Sequence, residues 1–176
     1  MKPLTSAFAL SVVALSPGSA SAAERPGVEH NVAKFLQSLE GGQTLDSMSP
    51  TDARAALAGA QAASNVALPE AEVSEKTIRV NDSDLQLTIV RPVGSQQKTL
   101  PAFMYFHGGG WVLGDFPTHE RLVRDLVAGS GAVAVFVNYS LSPEAGYGVA
   151  IEQAYAATKW VAEHGRRSMS TATAWP

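Results

Sequence analysis

The sequence predicts an α/β fold, and three observations carry that prediction. A turn-rich tetrad separates two short β-type runs, two later strands are apolar throughout, and helical periodicity follows each of those strands. A hairpin followed by strand–helix–strand–helix order implies a sheet with helices packed on its faces.

The elements follow in chain order. Residues 28–40 place Val28, Val32, Phe35, Leu36 and Leu39 at helical spacing, and Gly41-Gly42 ends the pattern. Ser49-Pro50 is a helix start, with a polar cap and an early proline, and the Ala-rich run to Ser64 is the helix that follows. Neither segment carries groups suited to chemistry, so 23–70 reads as a helical cap or lid ahead of the sheet. Residues 77–80 and 85–90 are the β-type runs of a hairpin whose turn is Asn81-Asp82-Ser83-Asp84. The third strand, 101–106, is apolar on both faces, as a buried parallel strand is. A helix over 118–130 has Leu122, Val123, Leu126 and Val127 on one side, 132–137 is a fourth buried strand, and a helix over 149–164 closes the domain at 165.

Composition narrows the function. Hydrophobic residues make up 45% and charged residues 16%, the balance of a chain that buries a core. A net charge of −3 without any Lys/Arg-rich run argues against nucleic acid or an anionic membrane as partner. There is no cysteine, which excludes disulfides, thiolate metal sites and a cysteine nucleophile. Lys2, the apolar run 4–15, Pro17-Gly18 and Ala20-Ser21-Ala22 together form a secretory signal-peptide pattern over 1–22, with cleavage expected after Ala22 and a periplasmic or secreted mature protein. The apolar run is too short to span a bilayer as a helix.

The chemistry is concentrated in His107-Gly108-Gly109-Gly110-Trp111, directly after the third strand. Glycine weakens regular structure, so three in a row point to a backbone that turns sharply and leaves its N–H groups unobstructed. Two such N–H groups aimed at one point stabilise a developing oxyanion, and this pattern after a third strand is the oxyanion motif of esterases and lipases. His107 reads as a brace for the loop and not as a base, because a base needs a nucleophile within hydrogen-bond reach. Ser140 and Ser142 sit in no nucleophile elbow, and Asp115, His119 and Glu120 lack the spacing of a metal site. No metal and no cofactor is expected.

The stretches FHGGGWVLGDFPTHERLVRDL and VFVNYSLSPEAGYGVAIEQAYAATKWVAEHG closely resemble the hormone-sensitive-lipase-like branch of the α/β-hydrolases, an esterase, lipase and acetyl-hydrolase family. The resemblance covers residues 70–165. It implies the N-terminal half of the hydrolase sheet, in strand order 1-2-4-3-5, and hydrolysis of small carboxylic esters by a serine nucleophile, a histidine base and an acidic orienter. It places oxyanion N–H groups on Gly109 and Gly110, gives His107, Gly108 and Trp111 to the motif, and makes Asp115, Tyr139, Pro143 and Glu144 structural or pocket-lining.

The sequence departs from that family in three places. Ser140 stands where relatives usually carry arginine, and Gly146 and Gly148 replace a proline-containing stretch. Relatives continue past the last helix into a fifth strand and a G-x-S-x-G elbow, and no G-x-S-x-G occurs among these 176 residues. Residues 166–176 lack apolar periodicity, and one base restored near the Gly165 codon yields Gly-Lys-Glu-Ile-Asn-Val-Asp-Gly-Asn-Arg-Leu-Ala, which resembles the family's approach to its fifth strand. A frameshifted tail and a truncated hydrolase domain, inactive as written, are therefore expected. The third strand would then be an open apolar edge, an expected cause of poor solubility. A hydrolase-derived binding module and a product without function remain the alternatives.

Overall fold

A computed structural model of the chain describes residues 27–38 and 41–168. The expected signal peptide, and all of the expected tail after Ser168, lie outside the described residues. The chain forms two compact units, Met1–Gln43 and Thr44–Pro176. In the first, α1 (His30–Ser38) starts where the Glu29 carboxylate accepts the N–H groups of Asn31 and Val32. No described helix is long and apolar enough to cross a membrane.

The second unit opens with a short 3₁₀ turn (Leu45–Ser47) and α2 (Pro50–Ala63). Ser49 caps α2 by accepting the Asp52 N–H, with proline at the first helical turn. Strands β1 (Glu72–Val80) and β2 (Ser83–Arg91) then pair antiparallel from Glu72↔Arg91 to Val80↔Ser83. Their turn is tighter than the tetrad predicts. Only Asn81 and Asp82 form it, at φ 44° and 62°, while Ser83 and Asp84 already pair with Val80 and Arg79. Two central residues at positive φ make the twist-compatible two-residue hairpin turn, and Asn and Asp tolerate that region better than most residues.

Strand β3 (Ala102–Tyr105) runs parallel to β4 (Val133–Asn138), β4 runs antiparallel to β2, and the sheet order is β1-β2-β4-β3. Strand β4 alternates between the two faces. Val133, Val135 and Val137 pack with Leu87, Ile89, Ala150 and Ala157 on the side covered by α4 (Tyr147–Ser168). Ala134 and Phe136 pack with Val123 and Val127 of α3 (Phe116–Ser130) on the other. The third strand lies at the edge of the described sheet, as the expected strand order without a fifth strand implies, and with a neighbour on one side it is only partly buried and not covered as its apolar run suggests. The later helices also start earlier than periodicity indicates. Asp115 caps α3 through a reciprocal capping box with Thr118, and α4 begins at Tyr147 and continues to Ser168.

Candidate active site

The loop from Phe106 to Gly114 leaves the end of β3 and is held by its own carbonyl groups. Three consecutive carbonyls are engaged. Tyr139 donates its hydroxyl to the His107 carbonyl at 2.6 Å. His107 donates Nδ1–H to the Gly108 carbonyl at 2.9 Å, a tautomer fixed by the fact that a carbonyl only accepts. The Gly109 carbonyl accepts the N–H groups of Val112 and Leu113 at 3.1 and 2.9 Å. In a trans peptide the N–H points opposite to the carbonyl of the same unit. Fixing the carbonyls of residues 107, 108 and 109 therefore turns the N–H groups of Gly108, Gly109 and Gly110 away from those partners. Among the described residues, no acceptor meets the N–H of Gly109 or Gly110.

Two clefts meet at Gly110. One, of about 460 Å³, is lined by Leu45, Met48, Ala53, Gly109, Gly110 and Leu113. The other, of about 360 Å³, is lined by Phe106, His107, Gly110, Trp111, Ile151 and Ala154. A further cleft of about 570 Å³ lies between the end of α2 and the start of α3 and includes none of the loop glycines.

His107 is buried, and its ring stacks between Tyr139 and Phe136 at centroid distances of 4.2 and 5.3 Å. Burial lowers its pKa, offset in part by the bond to the Gly108 carbonyl, so the ring stays neutral and keeps the proton on Nδ1. Burial raises the pKa of the Tyr139 phenol, which keeps it a donor. Gly109 has φ 121°, and a Cβ there would fall 2.1 Å from the Leu113 carbonyl oxygen. Gly114, which the sequence reading did not single out, is also required: at φ 93° its Cβ would fall 2.7 Å from His107 Nδ1 and 2.9 Å from the Gly108 oxygen, on the bond that sets the loop. Trp111 holds φ 61° without being glycine, its exposed ring edge-on to Tyr147. Asp115 caps α3 through its carboxylate, which accepts the Thr118 N–H at 2.9 Å.

The segment after β4 closes on the same loop. Ser142 donates its N–H to the Trp111 carbonyl at 2.8 Å and precedes Pro143 through a cis peptide. Glu144 makes a two-pronged ion pair with Arg54 of α2, both contacts at 2.8 Å. Arg54 also donates Nε–H to the Val112 carbonyl at 2.7 Å and Nη2–H to the Ser142 carbonyl at 2.8 Å. The Arg54 hydrogen bonds hold the Glu144 carboxyl at about 2. At Ser140, buried Gln153 of α4 accepts the Ser140 N–H at 2.7 Å and donates to its hydroxyl at 3.0 Å. Sequence reasoning missed Arg54 and Gln153, since each acts on a loop remote in the chain. Among the described residues, no cluster of three or more His, Cys, Asp or Glu side chains has the arrangement of a metal site.

The profile of the alpha/beta hydrolase fold family matches residues 103–174. A thermostable esterase from Pseudomonas putida is 58% identical in sequence and superposes with a TM-score of 0.77, over 82% of this chain and 46% of that one. Esterase LipI of Mycobacterium tuberculosis is 50% identical over 76 residues, 43% of this chain and 24% of LipI. Carboxylesterase NlhH of the same organism is 36% identical over 98 residues, 55% of this chain and 30% of NlhH. The chain has the α/β-hydrolase fold, and over the part it spans it is similar to esterases of that family. It spans less than half the length of each of these three relatives.

Proposed function

We propose that these residues form the oxyanion-binding part of a serine carboxylic ester hydrolase acting on small esters. The observation that carries the reading is the loop itself. The carbonyls of His107, Gly108 and Gly109 are each bonded within the fold, and the N–H groups of Gly109 and Gly110 are left without a described acceptor beside two clefts. A serine attacking an ester carbonyl places negative charge on that oxygen, and preorganised N–H donors lower the barrier because they need no reorientation as the charge appears. The tetrahedral intermediate then collapses, expelling the alcohol and leaving the acyl group on serine until water removes it. Tyr139, His107 and Gly114 support the donors and do not themselves transfer protons in this scheme.

The 176 residues hold no G-x-S-x-G, so on this reading they do not hydrolyse an ester by themselves. The signal-peptide pattern over 1–22 supports export of the protein from the cytoplasm. The test is hydrolysis of a short p-nitrophenyl ester by the product of the whole gene beside the 176-residue chain. Turnover by the former alone supports the proposal, whereas turnover by the 176-residue chain above a heat-denatured control would refute it.

A further inference from the structure

We infer that Arg54 is a positioning residue for the oxyanion loop, so that α2 holds the shape of the loop and does more than cover the sheet. This inference rests on the proposed reading of the loop as an oxyanion site. The guanidinium makes contacts in three directions. Nε donates to Val112 O, Nη2 to Ser142 O, and Nη1 and Nη2 grip both carboxylate oxygens of Glu144. The rigid planar fork suits this arrangement, and a lysine point charge cannot reproduce it. The two carbonyls belong to different segments. Val112 is one of the two residues whose N–H groups hold the Gly109 carbonyl, and Ser142 is the residue whose N–H holds the Trp111 carbonyl. Arg54 therefore ties together the two strands of backbone that fix the orientation of the loop peptides. It does so from α2, an element 58 residues from Val112. Glu144 acts on the loop through Arg54, since no other described hydrogen bond of its side chain reaches the loop.

Amide hydrogen exchange on the complete 176-residue chain tests this, with the Leu113 and Ser142 amides as reporters and the Ile89 and Val135 amides of the central sheet as controls. Arg54→Met is expected to speed exchange of both reporters by about tenfold or more while the controls hold, because local opening is separable from global unfolding. Glu144→Gln, the milder variant, is expected to speed the reporters by about threefold, since the two carbonyl contacts of Arg54 survive. The double variant should match Arg54→Met alone, because Glu144 has nothing to act through once the guanidinium is gone. Unchanged reporters in Arg54→Met would overturn the inference. So would an equal rise at reporters and controls, which marks a general scaffold residue, or additive effects in the double variant. The readout involves no ester, so an inactive gene product with a local Arg54 effect would sink the oxyanion reading and leave the clamp standing.

Discussion

Alanine at each of the three motif glycines should give three different results, although the sequence presents them as equivalent. At Gly109 the backbone sits at φ 121°, a conformation essentially reserved for glycine, and the added Cβ would lie 2.1 Å from the Leu113 carbonyl oxygen. The clash is with backbone, so no rotamer change relieves it, and the turn must open and release the Val112 and Leu113 N–H groups from the Gly109 carbonyl. A strained φ costs about 1–3 kcal/mol and each lost hydrogen bond about 1 kcal/mol, so Gly109→Ala should cost about 3–5 kcal/mol. At Gly110 φ is 62° and the Cβ meets nothing within 4 Å, so alanine should cost about 1–2 kcal/mol, the left-handed penalty alone. At Gly108 φ is outside the left-handed region and the Cβ is again unobstructed, so the change should stay within about 0.5 kcal/mol. Urea unfolding of the three variants, followed by tryptophan fluorescence, gives the order directly. A Gly108→Ala variant as unstable as Gly109→Ala would refute the reasoning, because it would mean the loop does not have this conformation.

Four further outcomes follow from the structure. Glu144 has its pKa lowered to about 2 from 4.5, so the stability it contributes is complete above about pH 4.5 and is lost as pH falls towards 2. The difference in melting temperature between the chain and Glu144→Gln should close over that window, and a gap that persists at pH 2 would contradict the ion pair. His107 has a lowered folded pKa, so the unfolded chain binds its proton more readily and stability should fall as pH drops below the ordinary histidine value; His107→Phe should flatten that slope between about pH 7 and 5. Asp82→Gly should stabilise the hairpin by about 0.5–1 kcal/mol in the same urea assay, since Asp82 sits at φ 62° in a turn that favours glycine there. Gln153→Leu should destabilise by about 1–3 kcal/mol by leaving the Ser140 N–H without its acceptor, whereas a neutral result would mean water replaces the amide.

Much of this architecture was legible in the chain because its causes are local. The Asn81-Asp82 turn, the apolar run of β4 and the glycines after β3 each reflect a constraint acting within a few residues. What the sequence concealed depends on the third dimension. The apolar residues of β3 look the same whether one side or both sides are covered, so its edge position could be expected only through the strand order of the family it resembles and not from its own residues. Asp115 is expected to be structural or pocket-lining, and its capping of α3 is hidden by an expected helix start at 118, where the helix begins at Phe116. Arg54 lies in an alanine-rich helix with no charge pattern to set it apart, and its partners are 58 to 90 residues away. Gln153 is a polar residue on a helix face, and its burial against Ser140 follows only from the docking of α4.

On the proposed reading, this loop serves serine ester hydrolysis. The decisive experiment sequences the gene across the Gly165 codon and about 150 codons beyond, roughly the rest of a hydrolase domain, and assays its product on p-nitrophenyl acetate. The expected result is a frame with G-x-S-x-G followed by an acid and a histidine, and a product that hydrolyses the ester. A gene without any such elbow, or a folded product that carries one and leaves the ester intact, would contradict it.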